Sequence, residues 1–338
     1  MANIAINGFG RIGRLFLKGA LKEPSFNIVA INDLGDVGDL AYLLKYDTVY
    51  GRFPGEVRVE QGKLIVDGKE ITFLQEKDPT KLPWKDLNID VVVESTGVFE
   101  SFEKANVHIA SGAKRVVITA PAKDEDGPLG RTMLLGVNED SAKTCSITSN
   151  GSCTTNAASP VIQIMAENPG IVKAILNTTH AYTATQSIVD GPAKGSDYRR
   201  GRAAAQNIVP STTGAAIAVT RAFSELKGKF DGISLRVPVP AGSVADITFI
   251  AKRKTSVEEI NDIFRNAAKD PKWNNILKVT DEQIVSSDIL GEPFGSIVDL
   301  GFTKVVDGDL VKILAWYDNE AGYVATLVEH TKKIATLV

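Results

Sequence analysis

The stretch Asn3-Ile4-Ala5-Ile6-Asn7-Gly8-Phe9-Gly10-Arg11-Ile12-Gly13 decides the fold of the first half of this chain. Its first five residues are β-prone and run straight into Gly-x-Gly-x-x-Gly. From Arg11 to Lys22 apolar residues recur at Ile12, Leu15, Phe16, Ala20 and Leu21, the spacing of a helix. Pro24 and Ser25 stop it, Asn27 to Asn32 is apolar again, and Asp33 closes the second strand. This is a complete βαβ unit with a glycine fingerprint at its first turn and an acid 20 residues past the last glycine.

Each part has a task. Gly8 permits the tight turn, Gly10 lets a pyrophosphate approach the backbone, and Gly13 allows close helix–strand packing. The pyrophosphate then rests on the helix N-terminus. Asp33 can accept hydrogen bonds from both hydroxyls of an adenine ribose. A 2′-phosphate beside Asp33 and Asp36 would be repelled, and no Arg or Lys occurs from Asp33 to Leu44 to offset this. The expected cofactor is NAD rather than NADP. Val91-Val92-Val93-Glu94-Ser95-Thr96-Gly97 reads as a buried parallel strand ending in a polar turn, and Arg115 to Pro121 repeats the pattern. Ligands of open α/β sheets bind beyond the carboxyl ends of strands, so Thr96, Gly97 and Thr119 are candidates for the cofactor cleft or simple turn residues.

The bulk numbers narrow the class. At 338 residues the chain is comfortable as two domains. A net charge of −3 gives no reason to expect a nucleic acid or anionic membrane partner. No run of ~18 apolar residues marks a membrane span, and Met1 to Asn7 carries no signal-peptide core. Cys145 and Cys153 cannot make a disulfide framework. His108, His180 and His330 lack partners at metal-ligand spacing. A reduced, cytoplasmic enzyme without metal is expected.

Cys153 stands in Ser149-Asn150-Gly151-Ser152-Cys153-Thr154-Thr155-Asn156, a run of small hydroxyl residues. After Ser159-Pro160 comes an apolar, helix-competent segment, Val161 to Ala166. A thiol at a helix start faces unsatisfied N–H groups and the positive end of the dipole, and both favour the thiolate. A lone cysteine is otherwise a buried structural residue; His180 alters that reading. Ala174 to Thr178 is strand-like and is followed by Thr179-His180-Ala181-Tyr182-Thr183. His180 lies 27 residues after Cys153, enough chain for one helix and one strand, so both can reach the same end of one sheet. Such a pair yields an activated thiolate and a proton donor or acceptor near neutral pH.

Between Tyr182 and Pro210 periodicity is weak, and the cations are Lys194, Arg199, Arg200 and Arg202. A loop of this length is usually functional or an interface element; its arginines suit either a solvated surface or phosphate recognition. Ser211-Thr212-Thr213-Gly214 precedes a helical run from Ala215 to Leu226, a second helix-start anion site. Arg236 lies inside the strand-like Leu235 to Pro240 and needs an acidic partner or a bound anion. Asp246 to Arg253, Ser296 to Phe302 and Asp309 to Tyr317 read as strands, and Val257 to Lys269 as a helix capped by Ser256. Runs of strands here indicate a mixed sheet. The fold class is α/β: an N-terminal Rossmann dinucleotide-binding domain, residues 1–151, plus an α+β catalytic domain with a mixed sheet, residues 152–318. A C-terminal helix, 319–338, packs back onto the first domain.

With these residues assembled, the chain resembles the phosphorylating glyceraldehyde-3-phosphate dehydrogenase family essentially end to end. The likeness rests on Asn7 to Arg14, on Ser152-Cys153-Thr154-Thr155-Asn156, on His180, on Asn207 to Ala216, and on Trp316-Tyr317-Asp318-Asn319-Glu320. The resemblance implies that Cys153 attacks the aldehyde and that His180 acts as base and hydrogen-bond donor. It implies a thioester that inorganic phosphate cleaves to an acyl phosphate, 1,3-bisphosphoglycerate, from glyceraldehyde 3-phosphate. Thr183 and Arg236 would hold the substrate's phosphate, and Ser152, Thr154, Thr213, Gly214 and Arg200 the attacking one. Arg11, Ile12, Asp33, Lys77, Thr119 and Asn319 would contact the cofactor, beside the fingerprint glycines Gly8, Gly10 and Gly13. It further implies a homotetramer, with Tyr182 to Pro210 buried at its centre.

This chain departs from the family pattern in places. Ala157 stands where many relatives carry a second cysteine, and Lys77 where many have arginine. Asp190 to Arg202 is one residue longer than in many relatives, which leaves Arg199 and Arg200 both open as the phosphate ligand. Pro192 is retained where several NADP-using photosynthetic relatives have changed it. Rival readings are a sister enzyme acting on erythrose 4-phosphate with water as acceptor, an aspartate-semialdehyde dehydrogenase, and a non-catalytic Rossmann module.

Overall fold

The computed structural model describes residues 1–193 and 195–338; Lys194, one of the loop cations, lies outside the described residues. The chain divides into two compact units. One comprises Met1–Met133, Glu139–Gly151 and Leu327–Val338, the other Leu134–Asn138 and Ser152–Thr326. The change of unit falls between Gly151 and Ser152, next to the cysteine, and again within the last helix.

In the first unit the elements are β1 (Ala2–Asn7), α1 (Arg11–Ala20), β2 (Phe26–Asn32) and α2 (Val37–Lys45). A two-residue hairpin, β3 (Tyr46–Asp47) and β4 (Gly51–Arg52), and an antiparallel flap, β5 (Val57–Glu60), β6 (Lys63–Val66) and β7 (Lys69–Leu74), follow. Then come β8 (Val91–Glu94), α3 (Phe102–Ala110), β9 (Arg115–Ile118), β10 (Gly130–Thr132) and β11 (Ile147–Ser149). The sheet order is β10-β11-β9-β8-β1-β2-β7-β6-β5. From β7 to β11 all pairings are parallel, and the chain order reverses at β1, the doubly wound arrangement that puts a crevice at the carboxyl ends of β1 and its neighbours. All four residues of β8 and the last four of β1 are buried, as strands covered on both faces must be. The core includes Ala5, Ala30, Trp84, Val92, Phe102, Val116 and Ile147.

The second unit contains α4 (Cys153–Glu167), β12 (Ile171–Ala181), β13 (Val209–Thr212), α5 (Ala215–Ala222), β14 (Phe230–Val237), β15 (Ser243–Ala251), α6 (Val257–Ala267), β16 (Leu277–Thr280), β17 (Ser296–Val306) and β18 (Leu310–Tyr317). Its sheet runs β13-β14-β12-β15-β18-β17-β16 and mixes parallel with antiparallel pairs, the mixed sheet expected. One face is covered, so burial alternates: along β15 Ala245, Ile247 and Phe249 are buried, along β18 Val311, Ile313, Ala315 and Tyr317. The final helix, α7 (Ala321–Ala335), passes from this unit into the first after Thr326.

Several boundaries differ from the sequence reading. The helix expected from Ala215 to Leu226 ends at Ala222; Phe223, with φ −125°, breaks it before a 3-10 turn at Ser224–Leu226. The strand read as Ala174 to Thr178 extends through His180 to Ala181. The helix expected beyond Pro160 begins at Cys153 and carries Pro160 inside it. Proline removes one helical N–H, and the segment stays helical because it is buried almost throughout from Thr154 to Met165.

Candidate active site

In the first unit the three glycines of the fingerprint do three different things. Gly8 has φ +96°, a conformation that L side chains rarely adopt. A Cβ on Gly13 would stand 2.1 Å from the Gly8 carbonyl oxygen, so this glycine is what lets α1 close on the turn. A Cβ on Gly10 would meet nothing within 4 Å. Gly10 is the N-cap of α1 and supplies no capping side chain, so the helix N-terminus opens onto space rather than onto its own cap. Asp33 takes the Phe9 N–H at 2.6 Å and the Gly35 N–H at 2.8 Å, one on each carboxylate oxygen, which fixes its orientation and leaves lone pairs for further donors.

A cavity of about 470 Å³ lies here, lined among others by Gly8, Gly10, Asp33, Lys77, Thr96 and Phe99. Open space at Gly10, an oriented carboxylate at Asp33 and a helix N-terminus fit a dinucleotide. Not every cofactor candidate faces the cavity. The Arg11 guanidinium pairs with Asp47 at 2.8 Å and lies over the Tyr50 ring, so its position rather than its side chain belongs to the turn. Asp36, expected to repel a 2′-phosphate, caps α2 by accepting from the N–H groups of Gly38 and Asp39. Ile12 lies in the first turn of α1 and Gly97 has φ +71°. Thr119 follows β9 and donates its N–H to the Glu94 carbonyl.

In the second unit the cysteine site is assembled by register. Ser152 caps α4: its Oγ accepts the Thr155 N–H at 3.1 Å, and the Thr155 hydroxyl accepts the Ser152 N–H in return. That reciprocal cap places Cys153 at the first position of the helix. On β12 the two-residue period puts Leu176, Thr178 and His180 on the buried face. β12 pairs in parallel with β14 so that His180 lies opposite Arg236. The outcome is Cys153 Sγ 3.3 Å from His180 Nε2, and Arg236 Nη1 2.9 Å from His180 Nδ1.

The Ala181 carbonyl oxygen lies 2.6 Å from His180 Nδ1 and 3.3 Å from Arg236 Nη1. The two neighbours of Nδ1 make opposite demands, since a carbonyl can only accept and a guanidinium can only donate; the Ala181 carbonyl, the nearer at 2.6 Å, favours the proton on Nδ1, which leaves Nε2 as the acceptor facing the thiol. Burial, seconded by the Arg236 charge, lowers the His180 pKa to about 3. Burial raises the Cys153 thiol, while Arg236 and the Thr154 hydroxyl and N–H pull it down. The sequence reading counted only the helix terminus and the histidine; desolvation outweighs them for either charge taken singly. A proton passed from Sγ to Nε2 makes two opposite charges 3.3 Å apart, whose attraction offsets part of that penalty.

Sequence reasoning assigned no role to Tyr317 and Thr178. The Tyr317 hydroxyl bridges Thr154 Oγ1 at 2.8 Å and Thr178 Oγ1 at 2.7 Å, and its ring meets the His180 ring edge-on at 5.9 Å. Burial pushes this phenol upward, so it remains a neutral strut between α4 and β12. Alternation was the available signal: Val311, Ile313, Ala315 and Tyr317 share one phase, as do Thr178 and His180.

Around this pair the arginines sort themselves. Arg199 is bound to Asp197 at 2.8 Å and Arg202 to Asp190 at 3.0 Å. Arg200 instead donates to the Ser211 hydroxyl, at 2.7 Å from Nη2, and to Thr185 Oγ1 at 3.3 Å. Neither Arg200 nor Arg236 has a carboxylate within ion-pair distance among the described residues. The Thr183 hydroxyl meets that of Thr185 at 3.0 Å. Thr213 Oγ1 accepts the Ala215 N–H, and Gly214, the N-cap of α5, has open space where a Cβ would be. Thr154 has its hydroxyl committed to Tyr317. Asn319 accepts from Gly242 N–H and Ser243 Oγ through its side-chain oxygen. No cluster of three metal-ligating side chains occurs among the described residues.

A doubly wound unit with a dinucleotide cavity, joined in sequence to a unit bearing a cysteine–histidine pair, is the build of a nicotinamide-dependent oxidoreductase. Residues 2–102 match the glyceraldehyde 3-phosphate dehydrogenase NAD binding domain, and residues 152–319 the C-terminal domain of the same family. The chain is 48% identical over 331 residues to glyceraldehyde-3-phosphate dehydrogenase of Streptomyces coelicolor, covering 97% of each. It is 47% identical over 342 residues to that of Clostridium pasteurianum, covering 99% of this chain and all of the other. To that of Thermotoga maritima it is 50% identical over 332 residues, covering 97% and 98%. The chain belongs to the glyceraldehyde-3-phosphate dehydrogenase family and is an NAD-dependent oxidoreductase.

Proposed function

We propose that the protein oxidises D-glyceraldehyde 3-phosphate with NAD and inorganic phosphate, giving 1,3-bisphosphoglycerate through a thioester on Cys153. The observation that carries this reading is the Sγ–Nε2 contact of 3.3 Å with two guanidiniums, Arg236 and Arg200, that have no carboxylate partner among the described residues. Cys153 Sγ attacks the aldehyde carbon, and its proton passes through His180 Nε2 to the carbonyl oxygen. NAD, when bound, supplies the hydride acceptor. As hydride leaves, His180 takes the hydroxyl proton and the carbon remains on sulfur as a thioester. A phosphate oxygen then attacks that carbon, the C–S bond breaks, and the thiolate is regenerated. Gly8, Gly10, Gly13, Asp33, Lys77, Thr96 and Gly97 are the residues proposed to hold NAD, with Arg11, Ile12, Thr119 and Asn319 as further contacts.

Arg236 and Thr183 are assigned to the substrate's phosphate. Ser152, Thr154, Thr213, Gly214 and Arg200 are assigned to the attacking one. The Asp197 pairing of Arg199 supports Arg200 over its neighbour. A homotetramer is part of the proposal. It is supported by Ile188, Val189, Tyr198 and Ile208 of the Tyr182 to Pro210 loop, which are 67, 73, 83 and 68% exposed in the single chain. Cytoplasmic location is proposed on the family alone.

The deciding experiment is NADH formation with glyceraldehyde 3-phosphate, with and without inorganic phosphate. A burst followed by slow turnover without phosphate is expected. Turnover at full speed without phosphate would make water the acceptor, as in the erythrose 4-phosphate reading, and overturn the phosphorylating assignment. Thr213→Ala should raise KM for inorganic phosphate and leave the burst intact.

A further inference from the structure

Beneath the dinucleotide cavity lies a buried polar chain that the reaction described above does not use. Trp84 is fully buried, and its Nε1–H donates to His108 Nδ1 at 3.0 Å. An indole nitrogen can only donate, so Nδ1 must be bare and the ring proton sits on Nε2. Nε2 lies 2.9 Å from Glu94 Oε2. The same oxygen receives the Asn7 side-chain amide at 2.6 Å. The other, Oε1, receives the Thr96 N–H at 2.8 Å and the Thr96 hydroxyl. Glu94 is 2% exposed and His108 fully buried.

The chain continues outward from Asn7. Its side-chain oxygen accepts from Asn32 Nδ2 at 2.8 Å, and Asn32 Oδ1 accepts the Glu76 N–H at 2.9 Å. The path from the Glu76 N–H through Asn32 and Asn7 thus ends on one carboxylate, with Asn32 Nδ2 also donating to the Glu76 carbonyl at 3.1 Å. Asn7, Asn32, Glu76 and Thr96 all line the cavity, and Lys77 follows Glu76 directly. A buried carboxylate is costly unless it collects donors; Glu94 collects them from β1, α3 and the turn after β8, and so ties together the ends of the strands that frame the cavity.

We infer that Trp84, His108 and Glu94 form a positioning relay for NAD: Trp84 fixes the His108 tautomer, His108 orients the Glu94 carboxyl through its Nε2–H, and Glu94 sets Asn7 and Thr96 in the cavity wall. The relay acts on cofactor affinity and not on the thiol chemistry. Asn7, Trp84 and Phe99 pack around the His108 ring beside Glu94. The inference rests on the proposal that this cavity takes the adenosine half of NAD.

The test is calorimetric titration of the full-length protein with NAD and with ADP-ribose. His108→Leu should raise both Kd values by about tenfold or more through loss of a donor to a buried charge. It should leave kcat at saturating NAD and the alkylation rate of Cys153 within about twofold, the split a positioning role predicts. His108→Gln, which keeps an N–H on a side chain of related reach, should restore part of the affinity. Trp84→Phe, which removes the donor that fixes the His108 tautomer, should weaken binding of NAD and ADP-ribose in the same direction. Should the Leu variant fail to fold, Trp84→Phe carries the same expectation of weaker NAD binding with unchanged kcat. Unchanged Kd in these variants would overturn the relay, as would a fall in kcat alone. Asp33→Ala separates the two layers: unchanged NAD affinity there would sink the cavity assignment itself, whereas weakened binding there with intact relay variants sinks only the relay.

Discussion

The dinucleotide cavity and the cysteine site solve the problem of placing chemical groups in opposite ways. At the cavity the groups are largely backbone: a left-handed glycine, an uncapped helix end, and one carboxylate oriented by two N–H groups. They come mostly from one βαβ unit, so local geometry suffices. At the cysteine site the groups are side chains from α4, β12, β14 and β18, brought together by strand register and by the Ser152–Thr155 cap. The first is fixed chiefly by its turn and by the buried Glu94 carboxylate beneath it; the second depends on each side chain.

That contrast predicts unequal sensitivity. The largest effect belongs to the thiol: Cys153→Ser should lower turnover by several orders of magnitude, read as steady-state kcat, because a hydroxyl is a poor nucleophile at neutral pH. His180→Asn should cost roughly 10²–10⁴-fold in kcat. Burial raises the thiol when no base shares its proton, so alkylation of Cys153 should move to higher pH in this variant. Equal alkylation rates at pH 6 in both proteins would break the pairing on which the second site is built.

Arg236→Leu should raise KM for the aldehyde phosphate by the equivalent of roughly 2–5 kcal/mol, the cost of leaving a buried anion without its charge partner. A comparable loss with a substrate lacking the phosphate would instead mean that Arg236 acts on His180.

A third comparison uses His330, on α7 within the first unit. Its Nδ1 faces Asn150 Oδ1 at 3.0 Å and its Nε2 the Thr148 hydroxyl at 2.8 Å, and burial lowers its pKa to about 3. The unfolded chain, with an ordinary imidazole near 6.5, binds the extra proton first as pH falls. Stability is therefore intact above about pH 6.5 and declines toward pH 3, by about 2–3 kcal/mol at pH 4.5 from this residue. Urea unfolding at pH 7 and 4.5 should show a smaller difference in His330→Gln. An equal difference in both proteins would remove His330 from the acid response.

The smallest effect is expected at the cavity. NAD should be preferred over NADP by at least about tenfold, roughly 1.4 kcal/mol, with Asp33 as the cause. Asp33→Gly should narrow the gap mainly by weakening NAD, and equal kcat/KM for the two cofactors in the unaltered protein would refute the assignment.

The same contrast explains what was legible in the sequence. Residues 3–33 disclosed the first unit because a βαβ turn is a local object, and its glycines are required by backbone geometry. His180 was reachable only by counting chain between it and Cys153. Tyr317 stood in plain sight within Trp316-Tyr317-Asp318, but its contact with Thr154 depends on how β18 pairs with β15 and how α4 lies over the sheet. Glu94 looked like the last residue of an apolar strand; that it collects donors from Asn7 and His108 depends on segments 87 and 14 residues away in the chain. The direction of proton affinity at Cys153 was also out of reach, because desolvation is a property of the packed interior.

The Arg236 guanidinium rests 2.9 Å from the imidazole nitrogen that does not face the thiol, and its charge is one of the two causes holding His180 so acidic. A phosphate seated on Arg236, as proposed, would cancel that charge at the moment the aldehyde arrives. The imidazole would then become a stronger base because its substrate is present, and a weaker one when the pocket holds no anion. Such an interlock spares an enzyme with a reactive sulfur from indiscriminate reaction: the nucleophile is armed by the cargo it is meant to attack.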